Sequence, residues 1–222
     1  MIKAVIFDLD GTLLNTLDDL AAAMNRMLVR FGYPTHTDLS FHKKVIGYGA
    51  RNYVKGCMPP EAAAVEEQVD KCLGAYAEEY QGRSNEKTAP YDGILSVLAY
   101  LTQENIAISV LSNKPDGATK ALVNSWFSEY AITCAYGERP GVPRKPDPKA
   151  PLAIAHDLGL SPHEIAFVGD SEVDMQTGKT AGMIPIGVLW GFRTQEQLKE
   201  GGATFLADNP QDLIKIFEQI IH

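Results

Sequence analysis

The chain lacks most of what would place it outside the cell or on a nucleic acid. Its three cysteines, Cys57, Cys72 and Cys134, are scattered without a C-x-x-C pair. That argues against a disulfide framework and fits a reducing compartment. The five histidines form no H-E-x-x-H or comparable spacing, so they read as surface or packing residues and no zinc site is expected. There is no dense Lys/Arg cluster, and the formal net charge is -8. Nucleic acid is excluded as an expected partner, because its binding rests on neutralising phosphates with basic side chains. No apolar run approaches the roughly 20 residues of a membrane span. Asp8 and Asp10 also fall where an export signal would need its apolar segment. The expected location is the cytoplasm, with no membrane partner. An acidic chain can still take a small phosphorylated metabolite if it supplies local positive charge from a metal, a placed lysine or backbone N–H groups.

What is present is an ordinary globular composition, 45% hydrophobic and 22% charged over 222 residues, enough to bury a core without staples. Short Val/Ile-rich runs at residues 3–7, 106–111, 165–168 and 183–189 end in polar residues or glycine. They read as strands buried on both faces of a parallel sheet. Helical spacing fills the stretches 91–104, 118–127, 148–158 and 212–221. This alternation predicts a Rossmann-like, doubly wound α/β core. From residue 16 to 81 the alternation stops, and only helical signals occur, at 17–31, 38–44, 50–57 and 61–80. The expected organisation is a core of residues 1–15 and 83–222 with a helical domain, 16–82, inserted after the first strand.

In an open parallel sheet, loops at the carboxyl ends of the strands converge on one crevice. Three expected strand ends deliver Asp8 with Asp10, Ser112, and Asp170. Side chains two apart on extended backbone face the same way, so Asp8 and Asp10 share one spot. Paired carboxylates repel and invite a cation or a proton, which allows one to act as nucleophile and the other as general acid. Asp170 could join Asp8 in an oxygen-rich site suited to magnesium, with Asp174 one helical turn further on. Ser112, ahead of a helix N-terminus, makes an anion site. Lys145, before Pro146-Asp147-Pro148, is a stiffly held point charge. Each feature alone has a plain alternative, a turn, a helix cap or a solvated lysine. The four together, in this order, carry the weight.

These segments, Asp8-Leu9-Asp10-Gly11-Thr12-Leu13, Ser112-Asn113-Lys114, Lys145-Pro146-Asp147-Pro148 and Gly169-Asp170-Ser171-Glu172-Val173-Asp174, resemble the four ordered motifs of the haloacid dehalogenase superfamily. The helical block resembles its α-helical cap. The resemblance implies a phosphoric monoester hydrolase in which Asp8 attacks phosphorus. Asp10 would protonate the leaving oxygen and then activate the water that releases phosphate. It further implies that Thr12, Ser112, Asn113 and Lys145 hold the phosphoryl oxygens. Mg2+ would sit on Asp8, Asp170 and the backbone carbonyl of Asp10, with Asp174 in support.

Within the superfamily, Gly47-Tyr48-Gly49, Ser112-Asn113-Lys114 and Trp190-Gly191-Phe192 look similar to phosphoglycolate phosphatases, which points to 2-phosphoglycolate. Asn15-Thr16 replaces the acidic residue and serine common at that place, which leaves open a sugar phosphate, a nucleotide, pyrophosphate, or a phosphosugar mutase of the same fold. Substrate choice is expected from the cap, with Gly47, Tyr48, Gly49 and Arg51 as candidates and Arg51 meeting a substrate carboxylate. A signalling receiver domain would be shorter and without the insert, and a non-catalytic sensor would be expected to have lost Asp8 or Asp10. Nothing in the pattern specifies an oligomeric state.

Overall fold

The computed structural model describes residues 1–83 and 86–221. In chain order the elements begin with β1 (Ala4–Phe7), β2 (Leu14–Asn15), α1 (Leu17–Arg30), α2 (Leu39–Val45), α3 (Ala50–Cys57), α4 (Pro60–Ala63), α5 (Glu66–Arg83) and β3 (Ala89–Pro90). Then follow α6 (Ile94–Gln103), β4 (Ala107–Pro115), α7 (Asp116–Phe127), β5 (Ile132–Glu138) and α8 (Lys149–Leu158). A 3-10 turn (Pro162–Glu164) leads into β6 (Ile165–Gly169), α9 (Glu172–Thr180), β7 (Ile184–Val188), α10 (Gln195–Gly201), β8 (Phe205–Ala207) and α11 (Pro210–Ile221). The chain divides into two compact units, Met1–Leu14 with Pro90–His222, and Asn15–Ala89.

The first unit is built on a parallel six-stranded sheet of order β5-β4-β1-β6-β7-β8. All four residues of β1 are buried, and they alternate between the two faces. Val5 and Phe7 pack with Ile94, Val97, Leu98 and Phe217, while Ala4 and Ile6 pack with Ile154, Phe167 and Met183. A strand covered on both sides has no polar face, which is why its sequence is an unbroken apolar run. Full burial of each such large side chain contributes about 1.5–3 kcal/mol. From β1 the chain builds outward through β4 to β5, then returns to the other side for β6, β7 and β8. β1 therefore stands at the switch point, where a crevice opens at the carboxyl ends of the strands.

The four expected strands are present as β1, β4, β6 and β7. β4 continues past Leu111 to Pro115, so Ser112, Asn113 and Lys114 lie on the strand and not in the loop after it. Two edge strands, β5 and β8, were not legible in the sequence. β5 is mostly half-buried and mixes polar with apolar residues, and β8 is three residues long. Neither has the continuous apolar run of a central strand.

The second unit is helical. α1 buries Leu17, Leu20, Ala21, Met24, Met27 and Leu28, the stripe of a 3.6-residue period, and α5 buries Val69, Cys72, Tyr76 and Tyr80. The single helix expected over 61–80 is instead two. One turn, α4, is closed by Val65 N–H bonding to the Ala62 carbonyl before α5 starts. The buried Asp19 carboxylate accepts from the Lys87 and Thr88 amides and, at 2.6 Å, from the Thr88 hydroxyl. These bonds satisfy a charge that burial would otherwise penalise. They also keep residues up to Ala89 in this unit, beyond the return expected at residue 83.

Candidate active site

Asp8 leaves the end of β1 with its N–H donating to the Val168 carbonyl at 2.9 Å, which continues the β1–β6 ladder and fixes where the carboxylate starts. Gly11 follows with φ +83°, and a Cβ there would overlap the Asp170 carboxylate. Glycine thus serves both the turn and the close approach. Asp170 comes directly off β6. Its Oδ1 accepts from the Thr12 hydroxyl at 3.2 Å and its Oδ2 from the Phe192 N–H at 2.8 Å. Asp174, in the first turn of α9, folds back so that its Oδ2 accepts from the Ser171 hydroxyl at 2.6 Å and the Ser171 N–H at 3.1 Å.

Lys145 reaches this cluster from the segment between β5 and α8. Its Nζ lies 2.9 Å from Asp8 Oδ1 and donates at 2.6 Å to Asp174 Oδ1. The lysine side chain is 2% exposed and that of Asp174 is 0%, so these charges interact without the screening that weakens surface pairs. Lys114, near the end of β4, lies 3.1 Å from Asp10 Oδ1 and 3.2 Å from Oδ2.

Burial pushes the Asp8 carboxyl up to about 7 against the opposing pull of Lys145, with the charge of Asp174 adding to the rise. Burial likewise holds Asp170 well above the carboxylate range, reinforced by Asp174 and Asp8. For Lys145, burial alone would lower the ammonium, but the Asp174 and Asp8 carboxylates outweigh it and hold the group above its usual value. Oxygens of Asp8, Asp170 and Asp174 lie within 4.8 Å of one another. An all-oxygen set of crowded, desolvated carboxylates fits a hard divalent cation, whose charge would offset their mutual repulsion.

The residues singled out from the sequence are not all placed as expected. Asp8, Lys145, Asp170 and Asp174 converge. Thr12, expected at the phosphate, is fully buried and spends its hydroxyl on Asp170. Asn113, also expected there, turns its amide onto the backbone of Lys145, donating to the carbonyl at 3.1 Å and accepting from the N–H at 2.9 Å. Ser112 Oγ accepts from the Lys114 N–H at 3.2 Å. In the helical unit, Gly47 and Gly49 have φ of +118° and +88°, and Gly49 caps α3. The Tyr48 carbonyl between them accepts from Asn52 at 2.9 Å. Arg51, expected to meet a substrate carboxylate, pairs with Glu66 and, at 2.5 Å, with Asp70. Its charge is compensated inside its own unit.

Two contributors had no assigned role in the sequence reading. Lys114 lies within the Ser112-Asn113-Lys114 motif, which by itself assigns it no role. The turn after β7 holds the other. Trp190 Nε1 donates to the Thr12 carbonyl at 3.0 Å. A Cβ on Gly191 would lie 2.5 Å from the Gly11 carbonyl oxygen and overlap Asp170.

Fold and site define a class: a doubly wound α/β protein whose central strands end in buried carboxylates beside a buried lysine, with an inserted helical unit. The family model for haloacid dehalogenase-like hydrolases matches residues 5–188, and the chain belongs to that family. It is 29% identical over 220 residues to phosphoglycolate phosphatase 1 of Pseudomonas aeruginosa, covering 98% of this chain and 80% of the relative. It is 28% identical over 229 residues to the N-acetylmuramic acid 6-phosphate phosphatase of the same organism, covering 99% and 96%. The crystal structure of a candidate phosphoglycolate phosphatase from Lactobacillus delbrueckii subsp. bulgaricus superimposes with a TM-score of 0.88 at 30% identity, over 96% of this chain and 97% of that one. The protein is a phosphoglycolate phosphatase-like phosphoric monoester hydrolase, and its helical unit is consistent with the caps of these neighbours. No helix among the described residues is long and apolar enough to cross a membrane.

Proposed function

We propose that this hydrolase cleaves small phosphate monoesters, foremost 2-phosphoglycolate, by passing the phosphoryl group first to Asp8 and then to water. The observation that carries this reading is the separate holding of two aspartates two residues apart, Asp8 on Lys145 and Asp10 on Lys114. Asp8 Oδ1 is kept beside a buried ammonium that orients it and favours its ionised, attacking form. Asp10 is positioned to protonate the departing ester oxygen and then to take a proton from the incoming water. Lys145 and Ser112 offer donors to phosphoryl oxygens, and Asn113 fixes the backbone from which Lys145 projects. Asp8, Asp170 and the Asp10 carbonyl would hold Mg2+, with Asp174 alongside. When bound, the ion supplies positive charge that lets an anionic ester approach three carboxylates.

The preference for 2-phosphoglycolate rests on the relatives' similarity and on Gly47-Tyr48-Gly49. With Arg51 already paired, carboxylate recognition falls to another group.

The test is phosphate release from 2-phosphoglycolate, N-acetylmuramic acid 6-phosphate, a sugar phosphate, a nucleotide and pyrophosphate, with Mg2+ and then with EDTA. Magnesium-dependent release led by 2-phosphoglycolate is expected. Release led by another ester keeps the chemistry and replaces the substrate. No release from any of them overturns the proposal.

A further inference from the structure

The contact between Lys114 and Asp10 has a consequence for the reaction. The ammonium lies nearly equidistant from the two carboxylate oxygens, 3.1 and 3.2 Å, and the side chains are 4% and 13% exposed. It therefore sits across the mouth of the carboxylate and restrains rotation of that group. Lys114 is itself restrained along its backbone. Its N–H donates to Ser112 Oγ at 3.2 Å, and its carbonyl accepts from the Thr119 hydroxyl at 3.3 Å. Between Ser112 and Lys114, where β4 departs from regular register with β5, Asn113 grips the backbone of Lys145. One short stretch of strand thus reaches the supports of both aspartates.

From this geometry we infer that Lys114 is a positioning residue for Asp10, an inference that rests on the phosphatase reading above. As the Asp8–phosphorus bond forms, the bond from phosphorus to the ester oxygen breaks and that oxygen takes a proton from Asp10. In the second transfer a water oxygen bonds to phosphorus, the Asp8–phosphorus bond breaks, and Asp10 takes the water's proton. Lys114 holds the Asp10 carboxyl at the angle these two exchanges require, and touches neither ester nor water itself.

The test compares wild type, Lys114→Met, Asp10→Asn and the double variant on 2-phosphoglycolate and on p-nitrophenyl phosphate. The nitrophenolate leaves without needing a proton. General acid–base groups contribute roughly 10²- to 10⁴-fold, so Lys114→Met is expected to lower kcat on the alkyl ester about tenfold or more, with KM within about twofold. In kcat/KM, which reports the first transfer alone, the loss on the aryl ester is expected to be much smaller than on the alkyl ester, while the second transfer, common to both, lowers kcat on either. In the Asp10→Asn background, Lys114→Met is expected to cost almost nothing further, as for two residues acting as one unit. Additive losses, or a raised KM with kcat unchanged, overturn the inference, the latter making Lys114 a substrate-binding group. Thermal melts report folding. If Lys114→Met does not fold, Lys114→Arg keeps the charge but displaces it, and the same contrast between esters is expected. An equal loss of kcat/KM on both esters overturns the inference in whichever variant folds. Wild type inactive on both esters and on the panel above removes the phosphatase reading first, and this inference with it.

Discussion

The side-chain amide of Asn113 closes on the backbone of Lys145 from both sides, donating to its carbonyl at 3.1 Å and accepting from its N–H at 2.9 Å. The two residues lie on different segments of chain, so this pair sets the distance between the end of β4 and the origin of the Lys145 side chain. Asn113→Ala leaves a buried N–H and C=O without these partners, at a cost of about 1–3 kcal/mol. Urea unfolding is expected to register that loss, and kcat is expected to fall because Lys145 is no longer held over Asp8. Unchanged stability together with unchanged kcat would remove Asn113 from the support of the site.

Asp8→Asn is expected to abolish turnover while the far-ultraviolet circular dichroism stays that of wild type. The same variant tests the electrostatics of the metal-free site. The Asp8 carboxyl titrates higher in the folded state, at about 7, than its ordinary 3.8. Its contribution to stability is thus fully present below about pH 4 and is lost as pH rises through about 7. In EDTA, the Tm of Asp8→Asn is expected to gain on that of wild type as pH goes from 4 to 7. A difference independent of pH, or one that shrinks as pH rises, contradicts the crowding described here.

Gly191 is where the turn after β7 passes closest to Asp170. Gly191→Ala drives a Cβ into the Gly11 carbonyl oxygen, 2.5 Å away, and onto Asp170, displacing a carboxylate whose Oδ2 is held by the next residue's N–H. Groups that orient a metal ligand typically govern 10- to 100-fold in affinity, so a drop of roughly that size in Mg2+ affinity is expected by calorimetry. Wild-type affinity in a folded Gly191→Ala would show that the turn does not set Asp170.

Arg51 is engaged by Glu66 and Asp70. Arg51→Ala is accordingly expected to leave KM for 2-phosphoglycolate nearly unchanged and to cost a little stability, less at high salt. A large rise in KM without loss of folding would restore Arg51 as a substrate contact.

Much of this was legible along the chain because it is written in local periodicity. β1, β4, β6 and β7 announce themselves as short apolar runs, since a strand covered on both faces tolerates no polar side chain. Asp8 and Asp170 come directly after β1 and β6, whereas Lys145 lies in the segment between β5 and α8. α1 declares its buried stripe at Leu17, Leu20, Met24 and Leu28 in the same way.

Tertiary structure alone decided which side chain answers which. Lys114 meets Asp10 across 104 residues and Lys145 meets Asp174 across 29. Thr12 is drawn to Asp170 across 158. No periodicity encodes such pairings, because they depend on how parallel strands order themselves in the sheet and bring distant loop ends together. The edge strands β5 and β8 were hidden for a related reason. They are defined by the neighbour whose backbone they pair with, and their own side chains, half-exposed, carry too little of the burial pattern that marks β1.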